Sequence, residues 1–334
     1  MTAIGRTLTF LVLAFSSGLV IGPVDVTAAA DTLRVGYVHV FDDAPVVIAR
    51  DAGIFAAQGL DAQVTAFTSG PTLVKGLVTG QLDAGVLGFT NALTWAAQGA
   101  DLKIVGKVQE GYHALIARKD RGISSLAGLK GRSLATQAVG STADIVLKGV
   151  ILKRAGLSDR DLEFVYTSPA TALASLRAGR VDAAFLFQPY DTIARLSLPV
   201  TELHEVGKSW PFPCMVLIVP GKLIAEKPEV VKKTLASIKQ SVEFMKAKPQ
   251  EASRLLAPAF MHEDGLDSGA VSAEEVMRKS LATQIFDWKL SPADLKRMEE
   301  LSVIMKELGV LKKDVPLTSV VDLRWQKQLE QASR

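Results

Sequence analysis

The chain has 334 residues, 48% hydrophobic and 22% charged, which is enough for two ordinary domains and is the composition of a compact globular protein rather than a disordered one. Its 38 basic and 35 acidic residues leave a net charge of +3, which gives no reason to expect a nucleic acid as partner. The single cysteine, Cys214, excludes an internal disulfide, so the core alone must hold the fold.

The first residues of the chain have the features of a cleavable secretion signal. Arg6 gives a short basic start, an apolar run from Leu8 to Ile21 follows, and Ala28 and Ala30 are the small residues that a signal peptidase prefers. We therefore expect a signal peptide at 1–30 and a mature chain in the periplasm. The apolar run is short and interrupted for a membrane span, although an uncleaved anchor is the alternative. No cysteine follows that would carry a lipid.

Beyond the signal, short apolar runs alternate with stretches of helical periodicity, a pattern that predicts parallel sheets with helices on both faces. Glycines such as Gly156 and Gly309 are typical of helix ends. The predicted elements in chain order are strand 33–38, helix 44–57, strand 60–67, helix 71–78, strand 84–87, helix 90–97, strand 103–108, strand 133–136, helix 141–155, strand 163–166, helix 169–176, strand 181–187, an apolar run at 212–219, a mainly helical region at 222–308 and an irregular tail at 314–325.

Between residues 33 and 190 the chain contains a series of short segments whose order and spacing together are specific. They are Gly36-Tyr37, Ala44-Pro45-Val46-Val47-Ile48-Ala49, Gly53-Ile54-Phe55, Gly59-Leu60-Asp61, Ser69-Gly70-Pro71, Gly80-Gln81-Leu82-Asp83-Ala84, Gly99-Ala100-Asp101-Leu102-Lys103, Ser125-Leu126-Ala127-Gly128-Leu129-Lys130-Gly131, Gly140-Ser141-Thr142-Ala143, Ala178-Gly179-Arg180-Val181-Asp182-Ala183 and Gln188-Pro189-Tyr190. Through them the chain resembles the aliphatic-sulfonate, nitrate and taurine binding proteins, together with the thiamine-pyrimidine precursor group, over about residues 33–260.

The resemblance implies an α/β, type II periplasmic binding protein fold, in which two α/β lobes are joined by two hinge crossings with the ligand cleft between them. We expect the crossings near His113–Arg118 and Met215–Pro220, where short apolar strands bound a self-contained α/β series. Lobe 1 is then expected at 31–115 and 218–334, and lobe 2 at 116–217.

The same resemblance implies a periplasmic solute-binding component of an ABC importer, without cofactor or enzymatic activity. The expected ligand is a small anionic or zwitterionic organic solute, like an aliphatic sulfonate, taurine or nitrate. The expected partners are permease and ATPase subunits at the inner membrane, and the chain is expected to be a monomer. Alternatives are import of a thiamine-pyrimidine precursor or other heterocycle, a pyrimidine synthase-like enzyme, or a sensor subunit on the same fold. The signal peptide argues against the enzyme, because such synthases are cytosolic.

Ligands of open parallel sheets lie beyond the carboxyl ends of the strands, and this rule selects candidate residues from the sequence. Gly88, Gln137, Thr167, Ser168 and Phe187 also lie at such ends. The candidate ligand-binding residues are His39, Phe41, Asp42, Asp43, Ser69, Gly70, Phe89, Thr90, Asn91, Tyr112, His113, Gly140, Ser141, Thr142, Gln188, Tyr190 and Trp210.

Gly140, Ser141 and Thr142 precede a predicted helix, whose first N–H groups and partial positive charge bind anions such as sulfonate or carboxylate. The alternative is a plain helix cap, since Asp144 three residues after Ser141 fits a loose capping box.

Asp42 and Asp43 form a second candidate group. A carboxylate in a cleft favours an ammonium or accepts hydrogen bonds from ring N–H groups, which suits a zwitterion or a heterocycle. The alternative is that they cap the helix that follows. Phe41, Phe89 and Tyr112, with Phe187 and Trp210, are candidates for an aromatic wall.

Other chemistry finds little support in the sequence. The four histidines, at 39, 113, 204 and 262, have no metal-ligand spacing, so we expect no metal site. No nucleophile elbow, P-loop or dinucleotide glycine pattern occurs, and we expect no catalytic residues.

Overall fold

The computed structural model describes residues 30–261 and 271–332. The predicted signal peptide at 1–30 lies outside this range except for Ala30, so its cleavage stays a prediction. In the described ranges, no helix combines the length and the apolar composition needed to cross a membrane.

The described residues form eleven strands in two sheets, with fifteen α-helices packed around them. The strands are β1 Asp31–Val38, β2 Leu60–Phe67, β3 Ala84–Gly88, β4 Leu102–Glu110, β5 Ala114–Arg118, β6 Ser133–Thr136, β7 Glu163–Tyr166, β8 Ala183–Leu186, β9 Val200–Glu205, β10 Pro213–Pro220 and β11 Ile285–Phe286. The helices are α1 Ala44–Asp51, α2 Ile54–Ala57, α3 Gly70–Val78, α4 Phe89–Ala96, α5 Thr142–Val146, α6 Pro169–Arg177, α7 Tyr190–Ser197, α8 Val206–Ser209, α9 Gly221–Glu226, α10 Pro228–Ala247, α11 Pro249–Phe260, α12 Ala273–Thr283, α13 Pro292–Glu307, α14 Leu317–Val320 and α15 Arg324–Ala332.

The first sheet has the strand order β11-β4-β10-β3-β1-β2. β1 pairs parallel with β2 and β3, whereas β10 lies antiparallel between β3 and β4. All five residues of β3 are buried, as expected of a strand that helices cover on both faces. β10 returns late in the chain to the middle of a sheet that the early strands begin.

The second sheet has the order β7-β6-β8-β5-β9. β6 pairs parallel with β7 and β8, while β5 is antiparallel to β8 and β9. Each sheet therefore contains an antiparallel strand that begins directly after the chain has crossed from the other sheet. This is the two-lobed arrangement of periplasmic binding proteins, and we call the first sheet with its helices the first lobe and the second sheet with its helices the second lobe.

The two connections between the sheets lie beside each other. The Gly111 N–H donates to the Phe212 carbonyl at 2.7 Å, and the Val206 N–H donates to the His113 carbonyl at 3.0 Å. A Cβ on Gly111 would stand 2.0 Å from the Phe212 ring, so only glycine fits at this crossing. We call this pair of connections, 111–113 and 206–212, the hinge.

The hinge lies earlier in both passages than the sequence indicates. The expected crossing strands pair wholly within one sheet each: β5 belongs to the second sheet and β10 to the first. Their apolar character reflects burial at the centre of a sheet, not passage between sheets. We propose lobe boundaries at the hinge instead of at 115/116 and 217/218.

Most predicted strands and helices are confirmed, with a break in the first helix and a change from α-helix to π-helix at Leu147–Leu152 within the predicted helix 141–155. The predicted helix at 44–57 divides into α1 and α2 because Gly53 adopts a φ of 70° between them. Gly309, with a φ of 72°, directly follows Leu308, the C-cap residue of α13, and so ends this helix as predicted. The tail predicted to be irregular contains α14 and α15, and Val321 bridges to Ile104 at the edge of β4.

Candidate functional site

A cleft of about 540 Å³ lies between the two lobes, at the carboxyl ends of the parallel strands. The first lobe, the hinge and the second lobe all contribute to its lining. Ten of the predicted site residues line it: His39, Asp42, Ser69, Gly70, Asn91, His113, Gly140, Ser141, Thr142 and Tyr190.

Three predicted residues pack into the first lobe instead. Phe41 is fully buried with its ring edge-on to Phe260 at 5.5 Å, and Phe89 is fully buried at the start of α4. Asp43 is buried too, and its carboxylate accepts the Val38 N–H at 2.8 Å. Of the adjacent acids, only Asp42 therefore lines the cleft.

Three more predicted residues lie outside the cleft lining, around the hinge. The Tyr112 hydroxyl donates to Asp191 Oδ2 at 2.5 Å, on the first turn of α7. Gln188 accepts from the Thr192 hydroxyl at 2.6 Å and so supports the start of the same helix. Trp210 packs against Phe212, with ring centroids 5.4 Å apart. The predicted aromatic wall is thus mostly core, and Phe187 alone of its members lines the cleft.

Thr90 joins the two lobes rather than lining the cleft. Its hydroxyl lies 2.6 Å from the hydroxyl of Thr142, which begins α5 in the second lobe. Gly88 lies at the same contact, where an added Cβ would come within 3.0 Å of Thr142 Oγ1. The lobes therefore touch directly on the side of the cleft formed by α4 and α5.

Asp42 is held in place by two amide side chains. Its Oδ1 accepts from Gln284 Nε2 at 2.9 Å, and Gln284 Oε1 accepts from Gln109 Nε2 at 2.5 Å. Burial raises the pKa of Asp42 to about 7, against the opposing effect of the Gln284 hydrogen bond. The carboxyl is thus poised to gain or lose a proton near neutral pH.

His113 lines the cleft from the hinge. Its ring stacks on Phe185 with centroids 5.2 Å apart, and its buried Nδ1 has no hydrogen-bond partner in the part of the chain that the structure describes. Burial lowers the pKa of His113 to about 4, so the imidazole is neutral at pH 7. Asp42 and His113 together form what we call the polar floor of the cleft.

Helices α3, α5 and α6 are among those that begin at the cleft, and residues at the start of each line it. We call Gly140, Ser141 and Thr142, before and at the start of α5, the helix rim. Ser141 Oγ accepts the Asp144 N–H at 3.2 Å, and Asp144 Oδ2 accepts the Gly140 N–H at 2.8 Å. These bonds favour the structural alternative for Ser141, because its hydroxyl already caps the helix.

The formal charge of the cleft lining is unusual for a site expected to hold an anion. Among the described residues that line it, none is lysine or arginine, and Asp42 is the one carboxyl group. Lys148, one turn into the same helical segment as the rim, pairs with Asp144 at 2.8 Å instead. Any positive potential in the cleft must come from helix N-termini.

The structure adds cleft residues that the site prediction left out. Gln137, Ser168 and Phe187 stand at strand ends that the carboxyl-end rule had identified, and all three line the cleft. Cys214 and Met215 were missed because β10 is antiparallel, so its first residues lie at the cleft; Met215 pairs with Gly88 at the end of β3. The signal that could have identified them is the apolar run at 212–219, since its first residues come directly after a hinge connection.

Within residues 30–261 and 271–332, no group of three or more histidine, cysteine, aspartate or glutamate side chains is placed to hold a metal ion.

Comparison with known proteins agrees with this geometry. A family model described as NMT1/THI5 like matches residues 40–252. A Brucella abortus (strain 2308) protein named as a binding protein is 27% identical, over 85% of this chain and 90% of its own length. The taurine-binding periplasmic protein of Escherichia coli K12 is 27% identical over 56% and 59% of the two chains.

This chain is also similar to a binding protein of known structure and to an enzyme. The periplasmic aliphatic sulphonate binding protein SsuA from Escherichia coli superimposes with a TM-score of 0.75 at 22% identity, covering 86% of this chain and 91% of its own. A 4-amino-5-hydroxymethyl-2-methylpyrimidine phosphate synthase of Candida albicans (strain WO-1) is 26% identical over 62% of this chain and 65% of its own.

Proposed function

This chain belongs to the NMT1/THI5-like family and has the two-lobed fold of periplasmic binding proteins, and from that premise we propose that it captures a small anionic or zwitterionic organic solute for an ABC importer. It is a solute-binding protein rather than an enzyme, in line with most of the relatives compared above. The synthase relative shows that the same family also includes enzymes.

One observation carries the proposal: a cleft of about 540 Å³ whose polar lining comes from both lobes and from the hinge. That volume lies within the range of small-molecule sites in proteins. A solute in contact with Asp42, His113 and the helix rim touches all three parts at once. It therefore stabilises the closed arrangement over an open one.

The anionic group of the solute is expected at the starts of α3, α5 and α6. Their N-terminal dipoles supply positive potential without any basic side chain, and oxygen-rich groups such as sulfonate or carboxylate suit N–H donors. The relatives named for taurine and aliphatic sulphonates support this choice of chemistry. Ligand contacts by the individual lining residues are part of this proposal.

Location and partners follow from the same comparison. Two of the compared proteins are named as periplasmic, and the sequence predicts a signal peptide at 1–30. We propose that the mature monomer binds its solute in the periplasm and delivers it to permease and ATPase subunits at the inner membrane.

The test is a thermal-shift screen of sulfonates, nitrate, carboxylates and pyrimidines, followed by calorimetry and small-angle scattering. At least one probe should raise the melting temperature, bind with about micromolar affinity, near −8 kcal/mol, and reduce the radius of gyration. If no probe in these classes raises the melting temperature, the proposed solute chemistry is wrong. Binding without compaction would contradict closure of the lobes.

A further inference from the structure

The two acids predicted for the site have separate positions. Asp43 is turned into the first lobe, where its carboxylate accepts the Val38 N–H, while Asp42 lines the cleft at only 3% exposure. Gln284 Nε2 occupies Oδ1 of Asp42, and Gln109 fixes Gln284 in turn. The Asp42 carboxyl is therefore an oriented group at a buried position.

The described residues of the cleft lining contain no positive side chain to balance Asp42, since none of them is lysine or arginine. Asp43 and Cys214 on β10 interact electrostatically with Asp42, and the histidines 39 and 113 line the same cleft. Burial keeps His113 neutral, and burial with the nearby acids raises the pKa of Cys214. An ionised carboxylate here has the Gln284 amide but no positive side chain of the described cleft lining as a partner, which is costly unless a ligand supplies one.

A second observation in the same cleft also points to a ligand. His113 is 3% exposed, lines the cleft from the hinge, and has a buried Nδ1 to which no described residue offers a hydrogen-bond partner. Buried polar atoms in folded proteins are nearly always paired. Asp42 and His113 thus offer an acid and a neutral imidazole to one small molecule.

We propose that Asp42 is the charge-selecting residue of the cleft and that the solute carries a cationic or strongly N–H-donating group, such as a primary ammonium or an aminoheterocycle, placed against it. This inference rests on the proposed function and narrows it. An anion without such a group, such as nitrate or a simple alkanesulfonate, would meet the carboxylate with no attraction to offset its repulsion. The anionic end of an accepted solute lies at the helix N-termini.

Matched probe pairs test the inference, because each pair differs only in the nitrogen group. Suitable pairs are taurine with isethionate, β-alanine with 3-hydroxypropionate, and 4-amino-2-methylpyrimidine with 2-methylpyrimidine. Calorimetry at pH 8 should give the nitrogen-bearing member of at least one pair an affinity about tenfold or more above its partner, the size of one charge-assisted hydrogen bond.

Two isosteric variants locate the effect. Asp42→Asn should remove the preference within the responding pair, while Asp43→Asn, one residue away and outside the cleft, should retain it. Melting temperatures without probe show whether each variant is folded. Equal or tighter binding of the members without nitrogen, or an unchanged preference in D42N, overturns the inference but leaves solute capture intact. Binding of no member of any pair overturns the proposed zwitterion chemistry and this inference with it.

Discussion

The polar floor and the helix rim face each other across one cleft, but their polar groups are in opposite states. At the rim, the Ser141 hydroxyl accepts the Asp144 N–H and the Asp144 carboxylate accepts the Gly140 N–H. The Thr142 hydroxyl is hydrogen-bonded to the Thr90 hydroxyl. At the floor, no lysine or arginine of the described cleft lining balances Asp42, and His113 Nδ1 has no hydrogen-bond partner among the described residues. Polar groups that are already paired stabilise the fold, whereas unpaired ones at a cleft are available to a ligand. We therefore propose that side chains select the solute at the floor, and that the rim offers mainly backbone groups.

The largest expected effect tests the floor side of this comparison: it is the change in protein stability with pH that Asp42 causes. The folded pKa of Asp42, about 7, lies above its ordinary 3.8, so the contribution of its neutral form is complete below about pH 4 and is lost as pH rises through 7. Ionisation should cost about 4 kcal/mol by pH 8 and about half of that at pH 5. Asp42→Asn, which cannot ionise, should therefore stabilise the unliganded protein much more at pH 8 than at pH 5.

Urea unfolding of wild type and D42N at both pH values measures this difference. An equal change in unfolding free energy at pH 5 and pH 8 would show that Asp42 ionises at its ordinary pKa. A gain in stability of D42N together with a loss of solute binding is expected for a residue that serves function at the expense of stability.

The next effect concerns binding of an amine-bearing solute as pH falls. Only ionised Asp42 attracts the ammonium, so affinity should stay level above pH 7. Below pH 7 it should weaken by about tenfold per pH unit, down to the pKa of Asp42 in the bound state. His113 titrates near pH 4 and lies below this window, and burial together with the charge of Asp42 raises the pKa of Asp43 well above its usual value.

Calorimetry from pH 5 to 8, in buffers of different ionisation enthalpy, gives both the affinity and the proton released on binding. D42N is the control and should show a flat profile. A wild-type profile that is also flat would mean that no floor carboxyl contacts the solute.

A smaller effect is expected where the lobes touch. Thr142→Val keeps the shape of the side chain but removes the hydroxyl that bonds Thr90, so closure should become less favourable and affinity should weaken by about fivefold. Thr79→Val is the matched control, since the Thr79 hydroxyl bonds only within its own helix, to Lys75 O at 2.8 Å. Equal affinities of T142V and T79V would show that the contact does not contribute to closure.

The smallest effect on affinity is expected at Ser141, and it sharpens the contrast with the floor. Ser141→Ala should lower stability by about 1 kcal/mol through loss of the cap and leave affinity within about twofold. Ser291→Ala removes an equivalent cap from α13, far from the cleft, where Ser291 Oγ accepts the Asp294 N–H at 3.1 Å. Weaker solute binding in S141A, but not in S291A, would restore a ligand role to the Ser141 hydroxyl.

The sequence predicts the architecture well because its signals are local. The continuous apolar run at 84–87 marks a buried strand, and helix stops at glycines are visible as single residues. Which of two adjacent acids faces the cleft is not local: it depends on whether the turn after β1 directs Asp42 or Asp43 toward Gln284. The cleft role of Cys214 likewise depends on the antiparallel course of β10, which only sheet pairing determines.

The hydrogen bonds between the two hinge connections have a consequence for the motion of the lobes. Because Gly111 is bonded to Phe212 and Val206 to His113, we expect the two connections to turn together when the lobes open. His113 belongs to this hinge, where we expect the displacement on opening to be least. A solute that enters the open protein would then meet the imidazole close to its final position, and we propose that docking begins at the pivot before the lobes close.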